Sequence, residues 1–405
     1  MEEGLAHVHA IGHVHESVNK GFSMNTPHSS LALERHLEVT LRELLGSVGW
    51  LREVSVGPAK RVGRKDAGFD LLAMLPLPSG GKAALCVECK KEVKPSSFHR
   101  VLERHVSPAG RPRVVVRVLA LPWVSPRVAE LCAEHGVGWY DLAGNCRLDV
   151  PGLLRIERSG NAPVHAVPRP VANLGTKEAA RVMRALLFDP DRIGQPWTQR
   201  ALSETRFPFE ESDESVASLG LVNKMVRHLT DEGLIEPLLK GGFKVTEPLK
   251  LLFAWRDTYR FEQHVRYDYF TLLQGKQLSE SIIKLSKLHT EAEYAAFSAA
   301  DFQAPNVRQP KTWLYVASKA LDRLAQVAQA KPVDTGGNLV VLVPSDDGVF
   351  YKKEYPGDNE PRPACTNAVQ TYVDLWHCGS RGQEAAEALL EQKIKPAWRD
   401  AGLKA

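Results

Sequence analysis

The stretch SLGLVNKMVRHLTDEGLIEPLLKGGFKV, residues 218–245, decides how the chain is read. Its first half repeats apolar residues at helical spacing. With Leu219, Val222, Val226 and Leu229 as the buried stripe, Asn223, Lys224 and Arg227 face outward together. Its second half holds two short apolar runs around Gly241-Gly242, which predicts a β-hairpin with Lys240 and Lys244 flanking its tip. Upstream, KEAARVMRALLFD and WTQRALSETR read as two more helices, followed by an acidic segment, FPFEESDESVA. LKLLFAWRDTYRF closes the block as a further helix.

Three helices and a hairpin in this order resemble a winged helix-turn-helix, placed at residues 172–260. Asn223, Lys224 and Arg227 are residue types that contact base edges or phosphates in a major groove. Lys240 and Lys244 stand where a backbone phosphate would lie. Winged helices also dock proteins, and any surface helix needs a polar face. Glu210, Glu211, Asp213 and Glu214 would repel phosphate if held near it, and the block carries 13 basic and 13 acidic residues. Both uses of the block stay open on these residues.

At roughly 150 residues per domain, a chain of 405 suggests two or three domains. With 43% hydrophobic and 25% charged residues, collagenous, disordered and disulfide-scaffold classes are excluded. No apolar run approaches the roughly 18 residues that span a bilayer, so no membrane partner is expected. The N-terminus begins acidic and lacks a basic region before a long apolar core, which makes a cytoplasmic location the expectation. Its His7, His9, His13 and His15 lie in a stretch, 1–26, that reads as a disordered leader. Six cysteines are too sparse for a disulfide framework. Cys86 and Cys89 have metal-ligand spacing but sit on a strand, where alternation aims them at opposite faces. The net charge of +4 is unevenly placed: residues 27–171 hold 21 basic against 14 acidic, whereas 261–405 hold 17 against 18. The basic excess therefore belongs to the first folded block, which is expected to contribute to phosphate binding.

That block, 27–165, reads as a leucine-spaced helix, then short β-rich runs, then a helix opened by Pro126 and ended by Gly136, then strand again. NAPVHAVPRPVAN is the linker that follows it. Asp70 and the Glu88-Cys89-Lys90 run fall on consecutive strands, and Glu88 and Lys90, two apart, share a face. Two carboxylates can hold Mg²⁺ on a scissile phosphate while a lysine stabilises developing charge, so Asp70, Glu88 and Lys90 are candidate catalytic residues and Asp70 and Glu88 candidate metal ligands. The arrangement resembles the PD-(D/E)XK, restriction-endonuclease-like superfamily, in which Glu34 or Glu38 of the first helix could complete the site; Phe69 stands where the superfamily has proline. Arg61, Arg64 and Lys65 before Asp70, and Lys91 and Lys94 after Lys90, are candidate DNA contacts, unless they form only a solvated face.

Residues 261–405 alternate helices and strands again and read as a third, α/β domain, so the fold class is α+β and multidomain. VSPRVAELCAEHGVGWYDLAGNCRL (124–148), LLFAWRDTY (251–259), NLVVLVPSDDGVFY (338–351) and AVQTYVDLWHCGSRGQEAAEALLE (368–391) together resemble the AbiEi-type transcriptional regulators, antitoxins of type IV toxin-antitoxin systems. The resemblance implies a winged helix that binds double-stranded DNA at the promoter of its own operon. It also implies a C-terminal domain that counters a nucleotidyltransferase-like toxin, with or without touching it. No cofactor is required on this reading, and the chain need not be an enzyme. The rival is a Mg²⁺-dependent nuclease of a phage-defence system. A homodimer would suit an inverted-repeat operator. Asp346, Asp347 and Asp374 suggest turn chemistry and solvation more than a metal site.

Overall fold

Leucines spaced three and four apart turn Ser30–Gly46 into an amphipathic helix, α1, which buries Leu33, Leu37, Leu41, Leu44 and Leu45. The computed structural model describes residues 30–51, 54–59, 68–103, 106, 108, 111–164, 172–205, 217–287, 292–355 and 363–404. Contacts divide the chain into two compact units, Met1–Arg169 and Pro170–Ala405. Among the described residues no helix is long and apolar enough to cross a membrane.

In the first unit, seven strands pair in sequence order: β1 (Ser55–Pro58), β2 (Leu71–Pro76), β3 (Lys82–Cys89), β4 (Val114–Leu121), β5 (Gly138–Asp141), β6 (Cys146–Val150) and β7 (Leu154–Arg158). β1, β2 and β3 form an antiparallel meander, β3, β4 and β5 run parallel, and β6 and β7 return antiparallel. The parallel steps need crossovers. They are made by the segment holding α2 (His99–Glu103) and by α3 (Pro126–Glu134), which Ser125 caps by accepting from the Val128 amide at 3.3 Å. The leucines of α1 pack with Leu71, Leu75, Leu85 and Val87, whereas Val128 and Cys132 of α3 pack with Leu119, Leu121 and Trp139. Cys86 lies with Phe69 and Ala84, and Cys89 packs against the α1 cluster, so the two thiols do face apart.

The second unit opens with α4 (Lys177–Phe188), α5 (Gln199–Ser203) and α6 (Leu219–Asp231), then the hairpin β8 (Ile235–Pro237) and β9 (Phe243–Val245), then α7 (Pro248–Thr258). It continues through β10 (Val265–Phe270), α8 (Gly275–Lys287), β11 (Ala292–Tyr294), α9 (Ala296–Gln303), β12 (Thr312–Val316), α10 (Leu321–Val327), β13 (Lys331–Pro332) and β14 (Leu339–Val343). The last helices are α11 (Ala368–Trp376), α12 (Ser380–Leu389) and α13 (Lys395–Asp400). The five strands order as β11-β12-β14-β10-β13, with only β12 and β14 parallel. One face of this sheet packs with Leu278, Ile282 and Leu324 of α8 and α10; the other packs with Phe297, Val369 and Tyr372 of α9 and α11.

Three expectations are corrected here. The boundary expected at residue 260 is not a boundary between units: Val182, Leu187, Leu229 and Trp255 share one core with Phe297, Tyr315, Val373 and Trp398. The stretch SESIIKLSKLHTEAEYAAFSAADF (279–302) predicts one helix from its sequence, but it is broken, because Ala292–Tyr294 pairs with β12. Asp374 is not solvated but fully buried, and Asp346 is buried in ion pairs with Arg181 and Arg184 at 2.7 and 3.1 Å.

These acids belong to a polar network that joins α4 to the sheet. Arg184 donates through Nε to Gln370 Oε1 at 2.6 Å and through Nη1 to Asp346 Oδ2 at 3.1 Å. Tyr259, Tyr315 and Gln370 donate to Asp374 Oδ1 at 2.9, 3.0 and 2.7 Å, while Oδ2 has no hydrogen-bond partner among the described residues. The Ser345 amide donates to His264 Nδ1 at 3.1 Å, which leaves the imidazole hydrogen on Nε2, 2.7 Å from the Tyr259 hydroxyl.

Burial outweighs the three donors and pushes the Asp374 carboxyl up to about 7. Burial, aided by Arg184, pushes His264 down to about 4. Asp374 ionises near 3.8 when unfolded, so its contribution to stability is full below that pH and is lost as pH rises toward 7. His264 protonates near 6.5 when unfolded, so its contribution is present above that pH and is lost as pH falls toward 4. Between about 4 and 6.5 the two slopes oppose each other. Asp374→Asn, which keeps the shape, removes only the first. Its urea midpoint is expected to fall on acidification across that window, while the unsubstituted protein changes much less.

Candidate nucleic-acid interface

Ser218 starts α6 by accepting from the Leu221 amide at 3.3 Å. The helix then buries Val222, Met225, Val226 and Leu229. The expected stripe is right except at its start: Leu219 is 54% exposed, and Met225 occupies the buried seam instead. Leu219 is the first helical residue, with no preceding turn of helix to help cover it. Asn223, Lys224 and Arg227 are exposed on the opposite face, as their spacing predicts. Between Ser218 and Thr230 the chain has no acidic residue.

The hairpin pairs Ile235 with Val245, Glu236 with Lys244 and Pro237 with Phe243. Gly241 and Gly242 make its turn at φ of 88° and 83°, a left-handed backbone that glycine tolerates best. A Cβ on Gly242 would meet the Trp197 carbonyl oxygen at 2.6 Å, because Trp197 exchanges backbone hydrogen bonds with Phe243, both at 2.8 Å. Lys240 and a fully exposed Leu239 sit at the tip. Lys244 pairs across the hairpin with Glu236 at 3.3 Å, so part of its charge is already answered. The acidic segment with Glu210, Glu211, Asp213 and Glu214 lies outside the described residues.

In the first unit, Asp70 and Glu88 come to the same end of β3. The Cys89 amide donates to Asp70 Oδ2 at 2.7 Å. Glu88, 7% exposed, pairs with Lys90 at 3.0 Å and borders a recess lined by Phe69, Cys86, Val101 and Arg117. Burial, then the charges of Asp70, Glu34 and Glu88, push the Cys89 thiol above its ordinary range. Glu34 accepts from Ser30 at 2.9 Å, and Glu38 pairs with Arg42. Among the described residues no group of three or more His, Cys, Asp and Glu side chains is placed to hold a metal ion. One oxygen of Asp70 is bound to an amide and one of Glu88 to an ammonium group. Lys91 is exposed, Lys94 half-buried and Arg100 exposed. Arg61, Arg64 and Lys65 lie outside the described residues.

Two units of mixed α/β structure, one of them presenting an exposed basic helix face beside a glycine-turned hairpin, define an α+β protein with a candidate nucleic-acid surface. Residues 244–395 match the AbiEi_2 family, described as "Transcriptional regulator, AbiEi antitoxin, Type IV TA system", so the resemblance read from the sequence holds over that stretch. The match begins in β9 and covers less than half of the chain; α6 and the whole first unit lie outside it. No curated protein and no solved structure matches the chain.

Leu219 and Leu239 were not singled out by reading residues for charge and hydrogen-bonding capacity. Ser218 as a helix cap is the signal that could have placed Leu219 at an uncovered first turn. For the carboxylate set, Asp70→Ala is expected to lower stability by roughly 1–3 kcal/mol, the worth of a charge-assisted hydrogen bond, as read from urea unfolding of the full chain.

Proposed function

We propose that the protein is a DNA-binding transcriptional regulator that represses its own operon and, as the antitoxin of a type IV system, counters a nucleotidyltransferase-like toxin in the cytoplasm. The observation that carries this is the family match at 244–395, which begins in the hairpin that follows α6 and its exposed Asn223, Lys224 and Arg227. On this reading α4, α5, α6 and the hairpin act as a winged helix-turn-helix. α6 enters the major groove, Asn223 meets base edges, and Lys224, Arg227 and Lys240 neutralise phosphates. Two copies would occupy an inverted repeat.

With 13 basic and 13 acidic residues in 172–260, the winged block cannot supply a strong electrostatic footprint alone. The restriction-endonuclease-like order of the first unit, a helix, a three-strand meander, a crossover and a parallel strand, brings its basic excess to the complex through Lys91, Lys94 and Arg100. Gel shifts on the protein's own upstream DNA are expected to show a preference over random duplex. Lys224→Ala, Arg227→Ala and Lys91→Ala should each weaken binding to all sequences alike and reduce the salt slope by about one. Retention of the full slope in all three would remove this reading.

The nuclease reading is favoured by one observation, that Asp70 and the pair of Glu88 and Lys90 come to the same end of β3. The internal partners of Asp70 and Glu88 count against it. Duplex DNA incubated with the protein and Mg²⁺ is therefore expected to stay intact, and cleavage that Asp70→Ala or Lys90→Ala abolishes would make the nuclease reading the correct one.

A further inference from the structure

We propose that the first two turns of α6 read a thymine-adenine step. Leu219 packs on the C5 methyl of a thymine, Gly220 lets the helix backbone close on the groove, and Asn223 pairs with the adenine edge of a nearby base pair. This rests on the winged-helix reading above and adds to it a base preference and the residues that set it.

The observations are independent of one another. Leu219 is 54% exposed on a helix that otherwise buries its apolar seam, with Val222, Met225 and Leu229 all at 0%. A single exposed leucine is ordinary, but the residue beside it is not. Gly220 does not have a positive φ, and among the described residues a Cβ added there would meet only Ser218 Oγ at 4.0 Å. Neither backbone conformation nor packing among the described residues asks for glycine, which is the poorest helix former after proline. What it supplies is the absence of a side chain toward the outside, the condition for a backbone to approach a ligand closely.

Leu219, Asn223 and Arg227 follow at intervals of four and so form one stripe along the exposed side of α6. One helical turn advances about 5.4 Å, against about 3.4 Å per base pair, so Leu219 and Asn223 fall on base pairs one or two steps apart. In the major groove only thymine offers a methyl group, and an asparagine carboxamide bonds adenine N6 and N7 together. The occupant argued for is a polyanion, because Lys224 and Arg227 are exposed beside this stripe and the one carboxylate of α6, Asp231, lies at its far end.

The test uses the full chain. Duplexes are enriched on it from a random pool, and each thymine of the enriched sequence is replaced in turn by deoxyuridine, which lacks only the methyl. Affinity is measured by fluorescence anisotropy at fixed salt. At one thymine per bound copy the unsubstituted protein should lose about fourfold, the worth of one buried methyl group. Leu219→Ala should bind thymine and deoxyuridine alike there, with its salt slope unchanged because no phosphate contact is altered. Gly220→Ala should bind the enriched duplex more weakly while its melting temperature stays level or rises. Tolerance of deoxyuridine at every position, discrimination that survives Leu219→Ala, or full affinity in Gly220→Ala overturns the assignment. If salt-dependent binding persists without any enriched sequence, the assignment falls and DNA binding stands. If no duplex is bound at low salt, the winged-helix reading falls with it.

Discussion

The second unit depends on a guanidinium group taken out of water. Arg184 projects from α4 into the core, 1% exposed, and meets Asp346 and Gln370 there while its partner Arg181 holds the other oxygen of Asp346. Removing a charge from solvent costs several kcal/mol, and only opposite charge with well-aimed hydrogen bonds offsets it. The ion pair therefore tolerates few geometries, and α4 has few ways to lie on the sheet. Trp398 adds a bond to the Leu187 carbonyl at 3.0 Å, and Tyr351 one to Asp189 at 2.8 Å, so the C-terminal end of α4 is tied to the same body. α6 packs in the same core and inherits that orientation.

Around this pair the core holds groups that work against one another. A carboxyl that burial drives toward its neutral form lies two hydrogen bonds from an imidazole that burial also keeps neutral. Neither charge is welcome, and Tyr259 stands between them as acceptor from one and donor to the other. Such a chain adds little net stability over apolar packing, but its directionality distinguishes one arrangement of α11, β12 and α7 from near alternatives. The same constraint explains why helical block and α/β sheet form a single unit, since a network crossing residue 260 leaves no place for a hinge there.

The proposed nucleic-acid surface is built on an opposite principle. Its cations are few, exposed and partly answered by neighbours such as Glu236, so the α6 face is suited to positioning and reading bases more than to strong electrostatic capture. The first unit carries the basic excess. In that unit Asp70 is held by the Cys89 amide and Glu88 by the Lys90 ammonium group, at the end of an interior strand.

Period and turn chemistry made much legible from residues alone: the leucine helix at the start, the Pro126-to-Gly136 helix, α6 with its outward Asn223, Lys224 and Arg227, and the hairpin at Gly241-Gly242. These follow from local preference and from one buried face, which a sequence states directly. The exposure of Leu219 and the burial of Asp374 could not be read, because each depends on whether a distant element arrives to cover it. Among the described residues Leu219 stays 54% exposed, whereas Tyr259, Tyr315 and Gln370 close over Asp374. The sequence by itself determined the elements, the uneven charge and the family of residues 244–395. Only the tertiary structure decided that the helical block and the last α/β region share one core, and that Asp70 is held by the Cys89 amide, because burial and hydrogen-bond partners are set by residues far apart in the chain.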